Sequence, residues 1–291
     1  MDTELARTFL AVIEAGSFSN AAERLHVTQS TVSARLRTLE SFLGTALFVR
    51  NKSGSSLTAA GRQFQRHALL LIRTVEQARH DVGIPRGYRA GITIGGRFGL
   101  WEDLLLRWLG VMRRTLPDVS VRAEIGFESD LMQGLIDGRL DIGVMYTPQS
   151  RPGMVVEKLF EETLIFVTTA PSAAAAPTNE YVYVDWGPEF YARHSTEFTH
   201  AEGPALTVNI GWLALQHILS DGGSGYFPRR LVTRYLDDGR LRNPADAPTF
   251  ALPAYAVYAT DHTASPVQPA LEAIRELVAA ITAGTPDHEG R

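Results

Sequence analysis

The 291-residue chain contains no cysteine. Disulfides and thiolate-held metals are therefore excluded, and most structural zinc sites with them. Its eight histidines show no His-Glu-x-x-His or other paired-ligand spacing, so no metal is expected. There is no Gly-x-Ser-x-Gly elbow and no Walker A segment, and an enzymatic role is not expected. No apolar run approaches the roughly 18 residues that a membrane helix needs, so no membrane contact is expected. The early apolar stretch Phe9-Leu10-Ala11-Val12-Ile13 follows Asp2 and Glu4 and is broken by Glu14. It does not read as an export signal, and a cytoplasmic location is expected.

What is present is ordinary in bulk and uneven in distribution. Apolar residues make up 45% and charged residues 21%, as in folded globular proteins, and the length calls for two or three domains. The net charge is −4 overall, yet residues 1–90 hold 12 basic and 7 acidic side chains and the remainder 16 and 25. A basic front (+5) and an acidic back (−9) fit a polyanion met by the front alone, although +5 over that length is modest.

Residues 17 to 43 read SFSNAAERLHVTQSTVSARLRTLESFL, two short amphipathic helices with a tight break. A preceding helix over about 3–15 carries Leu5, Phe9, Val12 and Ile13 on one face, and Gly16 ends it. Ser19 is the expected N-cap of a helix over about 20–25, which packs through Ala21, Ala22 and Leu25. Thr28 is expected to cap a helix over about 29–43. At 100° per residue, Val32, Leu36, Leu39 and Leu43 share one arc. Ser30, Ser33, Ala34 and Arg37 fall on the opposite side, with Gln29 at the helix start. This is a helix-turn-helix, and its outward set suits base edges: Gln for adenine, Ser flexibly, an Ala methyl for thymine, Arg37 for a base or phosphate. Arg35 lies on the flank, where phosphate contact is expected. Beyond Gly44 a short strand pair is expected, with Arg50 and Lys52 near its turn. Beside such a unit this reads as a wing reaching the minor groove rather than as a solvated turn.

The series F-x-x-V-x-E-x-G-S-F-S-x-A-A-x-x-L-x-x-T-Q-S-x-V-S, then L-x-x-L-E-x-x-L-G-x-x-L-F-x-R and L-T-x-A-G, runs from Phe9 through Gly61. It resembles the N-terminus of LysR-type transcriptional regulators. Leu100-Trp101-Glu102, Asp185-Trp186-Gly187-Pro188 and the opening Met-Asp-Thr-Glu-Leu look similar to the HdfR-like branch. Ala34 departs from the pattern, standing where many members carry a long polar residue, so the base contacts here can differ.

Phe64, Ala68, Leu71, Val75, Ala78 and Val82 are spaced as a heptad seam on a helix of about 24 residues, roughly 36 Å long. The spacing alone also suits a helix packed on its own domain. The resemblance implies a linker that pairs two subunits, hence a homodimer or homotetramer on double-stranded DNA. RNA polymerase is a candidate further partner. Ile84-Pro85-Arg86-Gly87 marks a hinge.

From about residue 90, strands and helices alternate. Strands are expected at 91–95, 119–125, 140–146, 164–169, 181–184, 206–210, 225–228 and 254–259. Helices are expected at 100–115, 130–137, 212–220 and 266–283, with an Ala-rich loop at 171–177. The first three strands imply a parallel sheet covered on both faces. Two α/β lobes joined by two crossings place a cleft outside the strand ends. Leu135–Gly143 and the Pro228-Arg229-Arg230-Leu231 run resemble the family's effector-binding half, which is similar to periplasmic solute-binding proteins.

The expected architecture is an all-α winged helix-turn-helix (1–58), a linker helix and hinge (59–88) and an α/β effector domain (89–284), with a tail at 285–291. Lobe I covers about 90–163 and 264–284, lobe II about 168–260. Candidate effector residues at the strand ends are Arg97, Phe98 and Gly99, Glu128 and Ser129, Tyr146 and Thr147, and Tyr226 and Phe227. Arg97 suits a carboxylate held bidentately or equally a neighbouring acid. Tyr226 and Phe227 are equally suited to a core, and Trp186 and Trp212 to a ligand ring or to burial. Gly95-Gly96-Arg97-Phe98-Gly99 is not G-x-G-x-x-G, so no dinucleotide and no other cofactor is expected. The function expected is a regulator whose DNA contacts respond to a small-molecule effector between the lobes. A periplasmic-type solute-binding protein without DNA function is the alternative, and it leaves residues 1–89 without a role.

Overall fold

A computed structural model describes residues 2–51, 54–170, 177–199, 203–204, 206–260 and 266–283. The chain packs as two compact units, one built mainly on residues up to Arg86 and one on residues from Gly87 onward. No described helix is long and apolar enough to cross a membrane.

The first unit runs α1 (Thr3–Ala15), α2 (Phe18–Arg24), α3 (Gln29–Leu43), β1 (Phe48–Asn51), β2 (Gly54–Leu57) and α4 (Ala59–Val82). Short polar side chains start its first three helices. Asp2 accepts from the Glu4 N–H, Ser17 from Asn20 and Thr28 from Thr31. The cap of α2 is thus Ser17, not Ser19. Buried Phe18 anchors the first turn, so the helix begins earlier than its alanines suggest and leaves Ser19 exposed on it. Gly16 (φ 69°) and Gly44 (φ 70°) end α1 and α3 in left-handed conformations that favour glycine.

Phe9 centres the core, its ring 5.3 Å from Phe48 and 5.1 Å from Phe64. Val32, Leu36 and Leu39 meet it from α3. Glu40 accepts from the Leu47 N–H at 2.7 Å and Phe48 at 3.3 Å, which turns the chain from α3 into the β1–β2 hairpin. Thr58 caps the other side of the hairpin, accepting from Gly61 N–H at 2.9 Å and donating to the Ala46 carbonyl at 2.8 Å. Gly61 packs so closely that an added Cβ would lie 2.3 Å from the Leu47 carbonyl oxygen.

The α4 seam divides along its length. Phe64 and Ala68, with Ile72, are buried in the unit's own core. Leu71 and Val75 are half-covered, Ala78 is exposed and Val82 is 90% exposed. The first turns of the seam therefore do what an ordinary amphipathic helix does, while its last members Ala78 and Val82, and Leu70 beside the seam, are left exposed.

The second unit runs β3 (Ala90–Gly96), α5 (Phe98–Leu100), a π-helical turn (Trp101–Leu105), α6 (Leu106–Thr115), β4 (Val119–Ile125), α7 (Glu128–Ile136), β5 (Ile142–Met145) and β6 (Met154–Thr168). It continues with β7 (Val182–Val184), α8 (Pro188–Glu197), β8 (Leu206–Val208), α9 (Gly211–Asp221), β9 (Ser224–Pro228), α10 (Arg229–Asp237), β10 (Phe250–Ala259) and α11 (Val267–Ala283). The main sheet has the order β4-β3-β5-β10-β6-β9, and β7 pairs with β8 separately. The β3–β4 and β3–β5 pairs are parallel as expected, but β10 lies antiparallel to β5 and to β6.

Strand β6 begins at Met154, well before the expected 164, because its first half is only partly covered and carries charge rather than a clean apolar run. That half pairs with the end of β10, and β10 there pairs with β5. The later half of β6 pairs with β9. Strands β6 and β10 therefore belong to both lobes, and the lobe boundary expected at 163–168 falls inside β6. The β6–β10 register shifts between Ala254 and Tyr255, a bulge of the kind that bends a strand pair at such a crossing. Helices α8 and α10 were not expected. The Ala-rich stretch 171–176 and the tail lie outside the described residues.

Gly61→Ala is expected to destabilise the first unit by about 1–3 kcal/mol, since backbone must shift to admit the methyl group. Urea unfolding of the full chain measures it, and unchanged stability would remove the close approach as the reason for glycine here. A second expectation concerns His194, buried among aromatic rings with Nε2 2.8 Å from the Tyr181 hydroxyl. Burial holds its pKa below the ordinary 6.5, so the folded chain keeps the ring neutral while the unfolded chain protonates it. Its contribution is complete above about pH 6.5 and is lost as pH falls below that value. Stability measured between about pH 7.5 and 5.5 should fall less steeply in His194→Gln than in the native chain.

Candidate nucleic-acid interface and ligand cavity

Two faces carry the candidate residues. On α3, Gln29, Ser30, Ala34 and Arg37 are exposed and Ser33 half-exposed, opposite the buried Val32, Leu36 and Leu39. Thr28 is exposed at the cap, its hydroxyl 2.8 Å from those of Ser30 and Thr31. Arg37 is exposed and donates from Nε to the Ser33 carbonyl at 3.2 Å, which ties the side chain to the preceding turn of the helix.

Arg35 is placed differently from its expected phosphate role. Its Nη1 lies 3.2 Å from Thr8 Oγ1 and 3.3 Å from Glu4 Oε2, so the guanidinium clips α3 to α1. A carboxylate one helix away outcompetes a solvent-facing rotamer, a partner that helical periodicity within α3 does not reveal. In the hairpin, Arg50 pairs with Ser55, one step from the turn, while Lys52 lies outside the described residues.

In the second unit, loops after β3, β4, β5, β7 and β8 surround two adjoining cavities of about 530 and 230 Å³. Arg97, Phe127, Trp186 and Asn209 line both. Together they fall in the size range of small-molecule sites. Arg97 is 9% exposed. Its Nε lies 3.4 Å from Glu128 Oε1, one Nη2 hydrogen reaches the Asn209 carbonyl at 3.4 Å, and the guanidinium sits 4.7 Å from the Phe127 ring centre. A neighbouring acid and cavity exposure are thus both realised. Phe98 and Gly99 line the smaller cavity, Thr147 and Glu128 the larger, and Tyr146 the smaller from below.

Three expected members are not in the lining. Ser129 is exposed beside it. Tyr226 and Phe227 are fully buried, because β9 is covered on both faces. Tyr226 packs 4.9 Å from Phe250, 5.4 Å from Phe166 and 5.9 Å from Phe190. The residues that take their place are Asp185, Gly187 and Pro188 after β7, and Asn209, Ile210 and Gly211 after β8. The same rule of strand carboxyl ends would have found them had β7 and β8, rather than β9, been taken as cavity strands. Of the two roles foreseen for Trp186, the structure shows burial. It is 4% exposed, donates to the Tyr226 carbonyl at 2.9 Å, and lines both cavities. Gly211 allows α9 to start against that ring, since a Cβ there would meet the indole at 2.4 Å. Trp212 is 44% exposed and 6.0 Å from Phe98.

Beneath the smaller cavity lies a buried ionic group. Arg230 Nη2 donates to Glu162 at 2.6 Å and to the Gly99 carbonyl at 3.0 Å, and the Tyr146 hydroxyl donates to Glu162 at 3.2 Å. Glu162 is on the crossing strand β6, Gly99 and Tyr146 on lobe I, Arg230 on α10. Burial pulls the Arg230 pKa down, but the charge and hydrogen bond of Glu162 outweigh it and the net shift is upward. Burial, then the charge of Glu162, holds the Tyr146 phenol far above its usual range.

Residues 3–62 match the bacterial regulatory helix-turn-helix protein of the lysR family, and residues 86–283 match the LysR substrate binding domain. Over 261 residues the chain is 33% identical to the HTH-type transcriptional regulator HdfR of Escherichia fergusonii, covering 89% of this chain and 92% of that one. ArgP from Mycobacterium tuberculosis shares the fold with a TM-score of 0.57 at 24% identity, over 96% of this chain and 98% of that one. DarR of Vibrio fischeri, solved in complex with DNA, does so with a TM-score of 0.57 at 16% identity, over 95% and 99%.

Glu162→Gln is expected to destabilise the second unit by up to about 3–5 kcal/mol, because it leaves the buried Arg230 with only the more distant carboxylate of Asp103, 3.7 Å from Nη1, as counter-charge. Chemical denaturation followed by tryptophan fluorescence measures the change. A loss below about 1 kcal/mol would mean that Asp103 and the Gly99 carbonyl, not Glu162, satisfy the guanidinium.

Proposed function

The chain belongs to the LysR family of bacterial helix-turn-helix regulators, and from that premise we propose that α3 lies in the DNA major groove with Gln29, Ser30, Ala34 and Arg37 toward the base edges. The family makes it a DNA-binding transcriptional regulator with an effector-binding domain. The observation that carries the finer reading is the division of α3 into a buried apolar side and an exposed side of short polar groups with one arginine. Short side chains let the helix approach the groove floor, and Arg37 supplies the long donor. Ser33 lies at the edge of that face and Thr28 fixes its start. Arg35 holds the helix from behind, so its charge supports phosphate contact without being the contact itself. The hairpin carrying Arg50 follows the adjacent backbone or minor groove, with Lys52 a further candidate for that contact.

Pairing of two subunits through the later turns of α4 supplies two recognition helices. The half-covered Val75 and the exposed Ala78 and Val82 support this, and such a dimer demands a roughly palindromic site. The cavity of the second unit takes the small-molecule effector, and the Arg230–Glu162–Tyr146 group under it couples ligand to the crossing strand. A ligand shifts the lobes only by its differential affinity for two arrangements, and the linker helices carry that shift to the spacing of the DNA contacts. The protein acts in the cytoplasm, meets RNA polymerase at the promoter and performs no catalytic step.

Footprinting on the DNA upstream of its own gene, at two salt concentrations, tests this reading. Two protected half-sites about one helical turn or more apart, weakening as salt rises, are expected. Arg37→Ala should weaken binding by about 1–3 kcal/mol. Unchanged affinity in that variant would overturn the orientation of α3.

A further inference from the structure

We infer that the effector is a zwitterion, a small compound bearing a carboxylate that docks on Arg97 and an ammonium group that faces Asp185. The inference rests on reading the paired cavities as the effector site.

The smaller cavity is built for the carboxylate. Arg97 makes two long contacts, to Glu128 and to the Asn209 carbonyl, both at 3.4 Å. Its Nη1 group and one Nη2 hydrogen have no partner among the described residues. Helix α9, eleven residues long, starts at Gly211 in the same lining and has no side-chain cap. Its first intrahelical backbone bonds come from Leu213 and Ala214, so the N–H groups of Gly211 and Trp212 have no partner among the described residues. A planar guanidinium and the positive end of a helix together select a carboxylate.

A simple anion, however, fits poorly. Against the one arginine the two cavities set three acids, Glu128 and Asp185 on the larger and Asp130 on the exposed rim of the smaller. The lining therefore carries a net charge of −2 before a ligand enters. Asp185 accepts from the Gly187 N–H through Oδ1 at 3.0 Å, and its Oδ2 has no partner among the described residues. The aromatic walls of Tyr183 and Tyr191 flank it, a setting that favours a cation. A simple cation would leave the Arg97 donors unmet, and a dicarboxylate would place its second charge among acids. A compound with one charge of each sign satisfies both ends.

The test uses the full-length protein and matched trios on one carbon skeleton: phenylalanine, 3-phenylpropionate and 2-phenylethylamine, then leucine, 4-methylpentanoate and 3-methylbutylamine. Glycine betaine, lysine, citrate, benzoate and glucose extend the range. Thermal unfolding and the change in tryptophan fluorescence report binding. At least one zwitterion is expected to bind about tenfold or more tightly than its single-charge counterparts. Asp185→Asn, an exposed position whose unliganded melting temperature serves as the folding control, should remove that advantage while leaving the carboxylate counterpart unchanged. Tighter binding of single-charge or neutral compounds overturns the inference and leaves the effector reading standing, as does a zwitterion whose advantage survives in Asp185→Asn. Failure of the whole panel to shift the melting temperature overturns both.

Discussion

Two antiparallel strands, β6 and β10, run through both lobes of the second unit and hold together the parts whose loops line the cavity. The first half of β6 and the last half of β10 complete the sheet that begins with β3 and β5. The remaining half of β6 carries β9. This continuous hydrogen-bonded pair runs through one apolar core shared by both lobes, and the loops after β3, β4, β5, β7 and β8 meet around the cavity. The bulge at Ala254/Tyr255 lies in this crossing segment. Such an irregularity bends and twists the pair where it passes from one lobe to the other.

The charges below the cavity follow from that geometry. Glu162 sits buried on the crossing strand, and Arg230 reaches it from α10. Tyr146 and the Gly99 carbonyl complete the shell from lobe I. A buried ion pair of this kind adds little net stability, but its directional bonds restrict how the lobes can meet. The π-helical turn Trp101–Leu105 adds a local irregularity next to it. There Trp101 donates to the Glu124 carbonyl at 2.9 Å, and Glu102 is partly buried with its pKa raised, first by burial. Such turns recur at functional sites because the extra residue re-aims side chains that a regular helix would send elsewhere.

The first unit solves a different problem with local means. Caps at Asp2, Ser17 and Thr28, left-handed glycines at 16 and 44, and Glu40 on the backbone of the hairpin are all contacts between residues close in sequence. They hold the recognition helix rigid on a small core centred on Phe9. Its exposed side is therefore free to be chosen for the groove, since none of Gln29, Ser30, Ala34 or Arg37 is needed for packing.

This difference explains what could be read without a structure. The helices and hairpin of the first unit, the 24-residue α4 and the polar face of α3 follow from periodicity and capping, which act over a few residues, and the motif from Phe9 to Gly61 identified the family. The parallel β3–β4–β5 set and the placement of Arg97 were legible for the same reason. Tertiary structure decided the rest. Whether Arg35 faced phosphate or Glu4, whether Phe64 faced a partner or its own core, and whether Tyr226 lined a cavity or filled one depended on elements distant in the chain. The length of β6, the roles of Asp185 and Asn209 and the buried Arg230–Glu162 pair were likewise invisible. A strand shared by two lobes carries no clean alternation, and a charge is recognisable as buried only once its partner, 68 residues away, is beside it.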